Sequence, residues 1–333
     1  MKTLITVYDS DLKRMVFQHG AIESLKEFSE VDFVEEGKYF SSEDLERVIG
    51  DYDACITGWG SAKITEEVLK KAVRLKFVGH TAGTVVPIVE KGIFDRDITV
   101  VNANSALAMS TAEAAMAFIM AGAWNLHGYN TGLKNGQWSK NNCETILGVG
   151  HQTVGIIGYG DISREVIRLL KPFNVRILLY SHYCPREEAE HLGVELCSLE
   201  ELLRRSRIIS LHNTLTPMSE GMIGKKELAL IRDGSLIVNT ARGPIVNSDA
   251  LLDEVRTERL FAALDVYDNE PMDKEHELLK LSNVFCLPHI GGYSNYWKTR
   301  LGKTVIDDME RWVKGEELQG QITLDKFKRL TPR

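Results

Sequence analysis

The chain has 333 residues, 44% apolar and 26% charged, enough to bury a sizeable core and unlike a disordered chain. Forty Lys and Arg against forty-seven Asp and Glu leave a net charge of −7 with no long run of one sign, which argues against a reader of nucleic-acid phosphates and for a small solute as partner. The length suggests two domains. Five cysteines, Cys55, Cys143, Cys184, Cys197 and Cys286, contain no CxxC pair, so they suggest neither a disulfide framework nor a zinc site and are expected to be a reduced, cytoplasmic set with no metal.

In chain order, the N-terminus runs straight into a strand pattern, and no secretory signal is expected. Apolar runs of strand length lie at 4–7, 54–57, 75–78, 154–157, 177–180, 208–211, 236–238, 262–266 and 284–287, separated by longer amphipathic stretches. That rhythm predicts parallel α/β sheets, once before about residue 103 and again after about residue 150. A helix is expected over 110–134, capped by Ser110 or Thr111, as connector between the two. Its most apolar part, 112–126, is interrupted by Glu113, Gly122 and Asn125 and falls short of the ~20 apolar residues of a bilayer span, so no membrane role is expected. A last helix is expected from about 294 to 315.

The segment 153–166 has the pattern of an apolar strand, a glycine turn and the start of a helix, the arrangement that seats a dinucleotide pyrophosphate. Gly158 permits the tight turn, Gly160 lets the backbone approach the phosphates, and helix N-terminal amides supply the anion site; the plain alternative is an ordinary strand-to-helix turn. Ser163 stands at the third glycine position. After the next strand an acid would hold the ribose 2′-hydroxyl, yet none occurs between Glu165 and Glu187. Ser181, His182 and Arg186 stand there instead, a set suited to a 2′-phosphate, which favours NADP(H) over NAD(H); a solvated loop tolerating either is the alternative.

Three later strands end in polar groups of catalytic type: Arg242, Glu270 and His289. Taken singly they read as a turn arginine, a loop acid before proline and a capping histidine. Ligands of open α/β sheets sit at the carboxyl ends of strands, so together they point to one crevice.

At these residues the sequence resembles the D-isomer-specific 2-hydroxyacid dehydrogenase family, through VGIIGYGDI (154–162), SLHNTLTPMSEGMIG (210–224), LIVNTARGPIVNSDALL (236–252), ALDVYDNEP (263–271) and LPHIGGYS (287–294). The resemblance implies two doubly wound parallel-sheet domains: a Rossmann dinucleotide-binding domain over 104–290, and a flavodoxin-like substrate domain from 1–103 plus 291–333. It implies hydride transfer between NAD(P)H and a 2-oxo or D-2-hydroxy acid, with domains closing about hinges near 103 and 291. Arg242 would bind the substrate carboxylate and polarise its carbonyl, His289 would be the acid/base, and Glu270 would orient it. Tyr159, Asp161 and Ile162 would line the pyrophosphate, Ser181 and His182 the adenosine ribose, and Asn213, Thr214 and Thr216 the middle of the cofactor. Thr111, Thr240, Ala241 and Asp265 would lie near the nicotinamide. Trp59, Gly60, Ala82 and Gly83 would meet the substrate, and the chain would form a homodimer. His212 reads as structural, and Thr214 replaces the family's usual proline. A dinucleotide-sensing corepressor-like binding protein of the same fold is the alternative function.

Overall fold

Runs that are apolar without alternation belong to strands covered on both faces, and the chain builds two such sheets. The computed structural model describes residues 1–138 and 146–330; Cys143 lies outside them. Two compact units divide the chain: Met1–Leu107 with Tyr293–Arg333, and Ala108–Gly292.

The first unit holds β1 (Lys2–Ile5), β2 (Glu30–Phe33), β3 (Ala54–Thr57), β4 (Phe77–His80) and β5 (Thr99–Asn102), all parallel in the order β2-β1-β3-β4-β5. Its strands alternate between two cores: Leu4, Cys55, Val78 and Val100 on one side, Ile5, Ile56, Phe77 and Val101 on the other. The strands predicted at 4–7 and 75–78 sit two residues from their true positions, and β2 and β5 carried no signal. Both are edge strands, and the half-exposed EVDF of β2 has no apolar run to detect.

The second unit holds β6 (Thr153–Ile157), β7 (Arg176–Tyr180), β8 (Glu195–Leu196), β9 (Ile208–Leu211), β10 (Leu236–Asn239), β11 (Phe261–Leu264) and β12 (Val284–Cys286). They pair in the parallel order β12-β11-β10-β9-β6-β7-β8, the Rossmann succession with one added strand. The direction of winding reverses between β6 and β9, which are adjacent, with Val154 beside Ile208 and Ile157 beside Leu211. A crevice opens at such a switch point, beyond the strand carboxyl ends.

The helix expected over 110–134 is two helices, Asn104–Ala123 and Leu126–Lys134. Asn125 separates them at φ +45°, its side chain accepting from Gly128 N at 3.3 Å. Ser110 and Thr111 therefore do not cap a helix but lie inside one. The first helix has the length and mean hydropathy to cross a membrane, and its Ala112, Ala115, Phe118 and Ile119 lie in the core with the seven-stranded sheet. The last predicted helix likewise divides, into Asn295–Lys298 and Leu301–Lys314.

Candidate active site

The glycine turn after β6 is built by contact with the loop after β9. Gly158 has φ +99°, and a Cβ there would fall 2.6 Å from Asn213 N. Gly160 is extended and has open space around its missing Cβ, at the cap of the helix Asp161–Leu170. The buried Ser163 hydroxyl accepts from Gly160 N at 2.8 Å, so the third glycine position holds a serine that closes the first turn of the helix. Tyr159 stacks near the Arg164 guanidinium, 5.7 Å from ring centroid to carbon, and burial together with Glu188 raises its phenol pKa. Asp161 pairs with the same Arg164, and Ile162 packs against the core below.

At the tip of β7, His182 Nε2 is 2.8 Å from the Tyr180 hydroxyl, Ser181 Oγ accepts from Tyr183 N at 3.0 Å, and Arg186 opens the next helix. Beyond β9, Ser219 organises the loop, its hydroxyl accepting from Thr216 N at 2.8 Å and donating to Thr214 O at 2.7 Å. His212 lies 2.9 Å by Nε2 from Ser210 Oγ, and burial pushes its pKa down to about 4, so it is a neutral structural group at neutral pH.

Three buried polar atoms in this region have no hydrogen-bond partner among the described residues: His212 Nδ1, Asn213 Oδ1 and Thr240 Oγ1. Buried polar groups are nearly always satisfied, so these call for a ligand atom or water. With the glycine turn and the amides opening the helix at Asp161, they fit a dinucleotide lying across the switch point.

Arg242 follows β10 in a turn set by Asn239, whose side chain accepts from Ala241 N at 3.0 Å and donates to Arg242 O at 2.9 Å. Its guanidinium donates to Ala241 O at 2.7 Å and has no carboxylate partner among the described residues. Burial lowers its pKa, and the charge of Glu270 opposes that effect, so the acid lies within electrostatic reach. The next residue is Gly243, where a Cβ would stand 2.1 Å from the carbonyl carbon of Tyr267. That close approach joins the arginine turn to the loop of the acid.

Glu270 accepts from Tyr267 N through Oε1 at 3.0 Å, and its Oε2 lies 2.6 Å from His289 Nδ1. His289 has φ +55°, a left-handed conformation uncommon in a non-glycine residue, and its Nε2 makes no hydrogen bond among the described residues. Three groups hold it there. The buried Asp265 carboxylate takes the amides of Ile290 and Gly291, the Ser110 hydroxyl donates to Gly291 O at 2.8 Å, and Tyr267 bridges the carbonyls of Leu264 and Leu287. Thr111 stands beside Gly291, 3.7 Å from where a Cβ would be.

Arg242, Glu270 and His289 are thus brought together in the second unit, with every sequence-derived cofactor residue in that unit. Asp265 spends both oxygens on the histidine turn. Asn239, Ser219, Gly243 and Ser110 were not singled out from sequence as parts of the site; only Asn239, a polar residue just before a turn, carried a readable signal.

The substrate-loop residues lie in the first unit. Trp59 is 41% exposed, Gly60 has φ +75°, and Gly58 N donates to Ser61 Oγ at 2.9 Å. Ala82 is buried and its carbonyl accepts from Ala103 N at 3.0 Å, while Gly83 O accepts from the Asn102 side chain. His80, just before them, is buried 2.9 Å from Thr57 Oγ1 with its pKa pushed down to about 4.

Residues 116–291 match the family model of the D-isomer specific 2-hydroxyacid dehydrogenase NAD binding domain. The chain is 33% identical over 304 residues to the D-3-phosphoglycerate dehydrogenase of Methanocaldococcus jannaschii, covering 91% of this chain and 57% of that protein. It is 30% identical over 312 residues to the glyoxylate reductase of Thermococcus litoralis, covering 92% and 93%. It therefore spans little more than half the length of the archaeal phosphoglycerate dehydrogenases it matches. A phosphoglycerate oxidoreductase from Rhizobium etli has the same fold, with TM-score 0.81 at 21% identity over 96% of this chain and 97% of that one. The chain belongs to the D-isomer specific 2-hydroxyacid dehydrogenase family.

Proposed function

We propose that this protein catalyses reversible hydride transfer between a nicotinamide dinucleotide and C2 of a 2-oxo acid or its D-2-hydroxy acid. The observation that carries the reading is the 2.6 Å contact of His289 Nδ1 with Glu270 Oε2, beside a guanidinium that lacks a carboxylate partner among the described residues. Gly158, Gly160, Asp161 and Ile162 would hold the pyrophosphate, and Asn213, Thr240 and Ala241 the nicotinamide half. When bound, the nicotinamide ring supplies the hydride for reduction and receives it in oxidation.

Arg242 binds the substrate carboxylate and polarises the C2 carbonyl with its planar, permanently charged fork. His289 gives a proton from Nε2 to the oxygen as C2 is reduced, and takes it back in the reverse direction. Glu270 fixes the orientation of the imidazole by its contact at Nδ1. The decisive experiment follows NADH and NADPH absorbance with glyoxylate, hydroxypyruvate, pyruvate, phenylpyruvate and branched 2-oxo acids. Turnover that disappears in His289→Ala supports the reading, and no oxidation with any acid overturns it.

NADP(H) is the favoured cofactor in this reading, because Ser181, His182 and Arg186 stand at the tip of β7 where an acid would repel a 2′-phosphate. A higher kcat/KM with NADH than with NADPH would reverse that choice. The exposed Trp124, Leu126 and Leu133 near the helix junction supply an apolar face for a second copy, so a homodimer is the expected assembly, to be read by light scattering. Free thiols at Cys55, Cys184, Cys197 and Cys286 suit the reducing cytoplasm.

A further inference from the structure

A cavity of about 280 Å³ opens in the second unit beside the loop that carries Glu270. Its floor is apolar, from the buried Val246, Leu251, Leu264, Val266 and Leu278, and its rim carries three exposed carboxylates, Asp249, Asp268 and Asp273. None of Gly158, Gly160, Asn213, Thr240, Arg242 and His289 lines it, so it is neither the dinucleotide site nor the site of hydride transfer.

Acids elsewhere on the same stretch of chain are neutralised: Asp253 and Glu277 pair with Arg256, Glu254 with Arg259 and Glu275 with Lys280. The three at the cavity form no ion pair among the described residues; Asp268 takes the Ser248 hydroxyl and Asp273 takes Glu275 N at 2.8 Å. Neither Lys nor Arg lines the cavity, and His276 Nδ1 accepts from Leu278 N at 3.2 Å, so that nitrogen carries no proton. The field at the mouth is therefore negative over an apolar floor. A cation with an apolar body meets both, whereas a carboxylate is repelled and a neutral apolar molecule gains only the floor.

The walls are shared with the catalytic loops. Asn239 and Gly243, which set the turn of Arg242, line the cavity, and so do Tyr267, Asp268 and Asn269, which run straight into Glu270. Ser248 opens the helix Ser248–Arg256, and its hydroxyl donates to the Asp268 carboxylate, tying the loop of the acid to that helix. An ammonium that takes the Asp268 oxygen competes with this tie.

We propose that this cavity binds a small amine with an apolar body, one ring or a short branched chain, its ammonium among Asp249, Asp268 and Asp273. Occupancy draws Asp268 from Ser248 and loosens the loop of Glu270, so it lowers kcat without competing with the 2-oxo acid. That consequence, unlike the site itself, rests on the dehydrogenase reading above.

Three probes of similar shape and different charge test it: benzylamine, benzyl alcohol and benzoate, titrated calorimetrically into the full chain with and without dinucleotide. Benzylamine should bind about tenfold tighter than benzyl alcohol, the scale of a few exposed ion pairs, and benzoate weaker than either. Raising the salt concentration should weaken the amine and leave the alcohol unchanged. Asp249→Asn with Asp273→Asn should bring the two affinities together, and Asp249→Glu with Asp273→Glu should restore the difference. In steady-state reduction of a 2-oxo acid, saturating benzylamine should lower kcat severalfold with KM little changed. Equal affinity for amine and alcohol, or an amine selectivity that survives the double asparagine variant, overturns the proposal. So do displacement of benzylamine by the dinucleotide, inhibition competitive with the 2-oxo acid, and binding that leaves kcat unchanged. A chain that reduces no 2-oxo acid yet shows the amine selectivity, lost in the double asparagine variant, loses the dehydrogenase reading and keeps the site.

Discussion

The carboxylate of Asp265 receives the backbone amide of Gly291 at 2.8 Å, and through it the turn that presents His289 is tied to the end of β11. The second oxygen takes Ile290 N at the same distance, so a buried side chain opposes the strain of His289 at φ +55°. Asp265→Asn replaces one acceptor by an amide donor facing an N–H. It should cost about 1–3 kcal/mol of stability and lower kcat more than it raises KM. Calorimetric melting and steady-state reduction check this; wild-type values for both would mean that the turn holds without the acid.

Arg242→Lys keeps the positive charge and loses the fork, and should lower kcat/KM by roughly 10²-fold, because one ammonium does not reproduce a bidentate clamp. Glu270→Gln should lower kcat by a similar order, about 10²-fold, with KM little changed, since it removes support from a proton donor rather than from a binding group. Saturation curves for both variants separate the two roles.

Gly158 and Gly160 should respond differently to the same change. Gly158→Ala forces a Cβ to within 2.6 Å of Asn213 N at a φ of +99°, so it should lower Tm as well as dinucleotide affinity. Gly160→Ala meets no atom within 4 Å, so Tm should stay near wild type while the dissociation constant for the dinucleotide rises. Paired thermal melts and cofactor titrations decide it, and a Gly160→Ala variant that binds normally would move the pyrophosphate elsewhere.

Buried His80 makes stability depend on pH. The unfolded residue takes up a proton near pH 6.5, the folded one only near 4, so between those values the unfolded chain binds more protons. Its contribution is therefore nearly constant above about pH 6.5, and stability falls as pH drops towards 4, by about 1.5 kcal/mol between pH 6.5 and 5 from His80. Urea titrations across that range should show the slope, and His80→Gln should make it shallower even if it lowers stability throughout. His212, also pushed down to about 4, adds to the same trend in the second unit.

Much of this site was legible in the order of residues. Strands β6 and β9 to β12 are covered on both faces, so their sequences are nearly unbroken apolar runs, and the polar residue ending each run marks the rim of the crevice. The edge strand β2 and the break at Asn125 left no such trace, because an edge is half solvated and one left-handed residue does not interrupt an apolar pattern.

Composition and motif spacing by themselves determined the two parallel sheets, the glycine turn and the identity of Arg242, Glu270 and His289, since burial and backbone sterics act on residues near one another in the chain. Only the tertiary structure decided what holds those groups in place. Asp265 against Ile290 and Gly291, and Ser110 against Gly291, join residues that are far apart in sequence. Hydrogen bonds act over a few ångströms of space, and no periodicity along the chain encodes which distant side chain will arrive there.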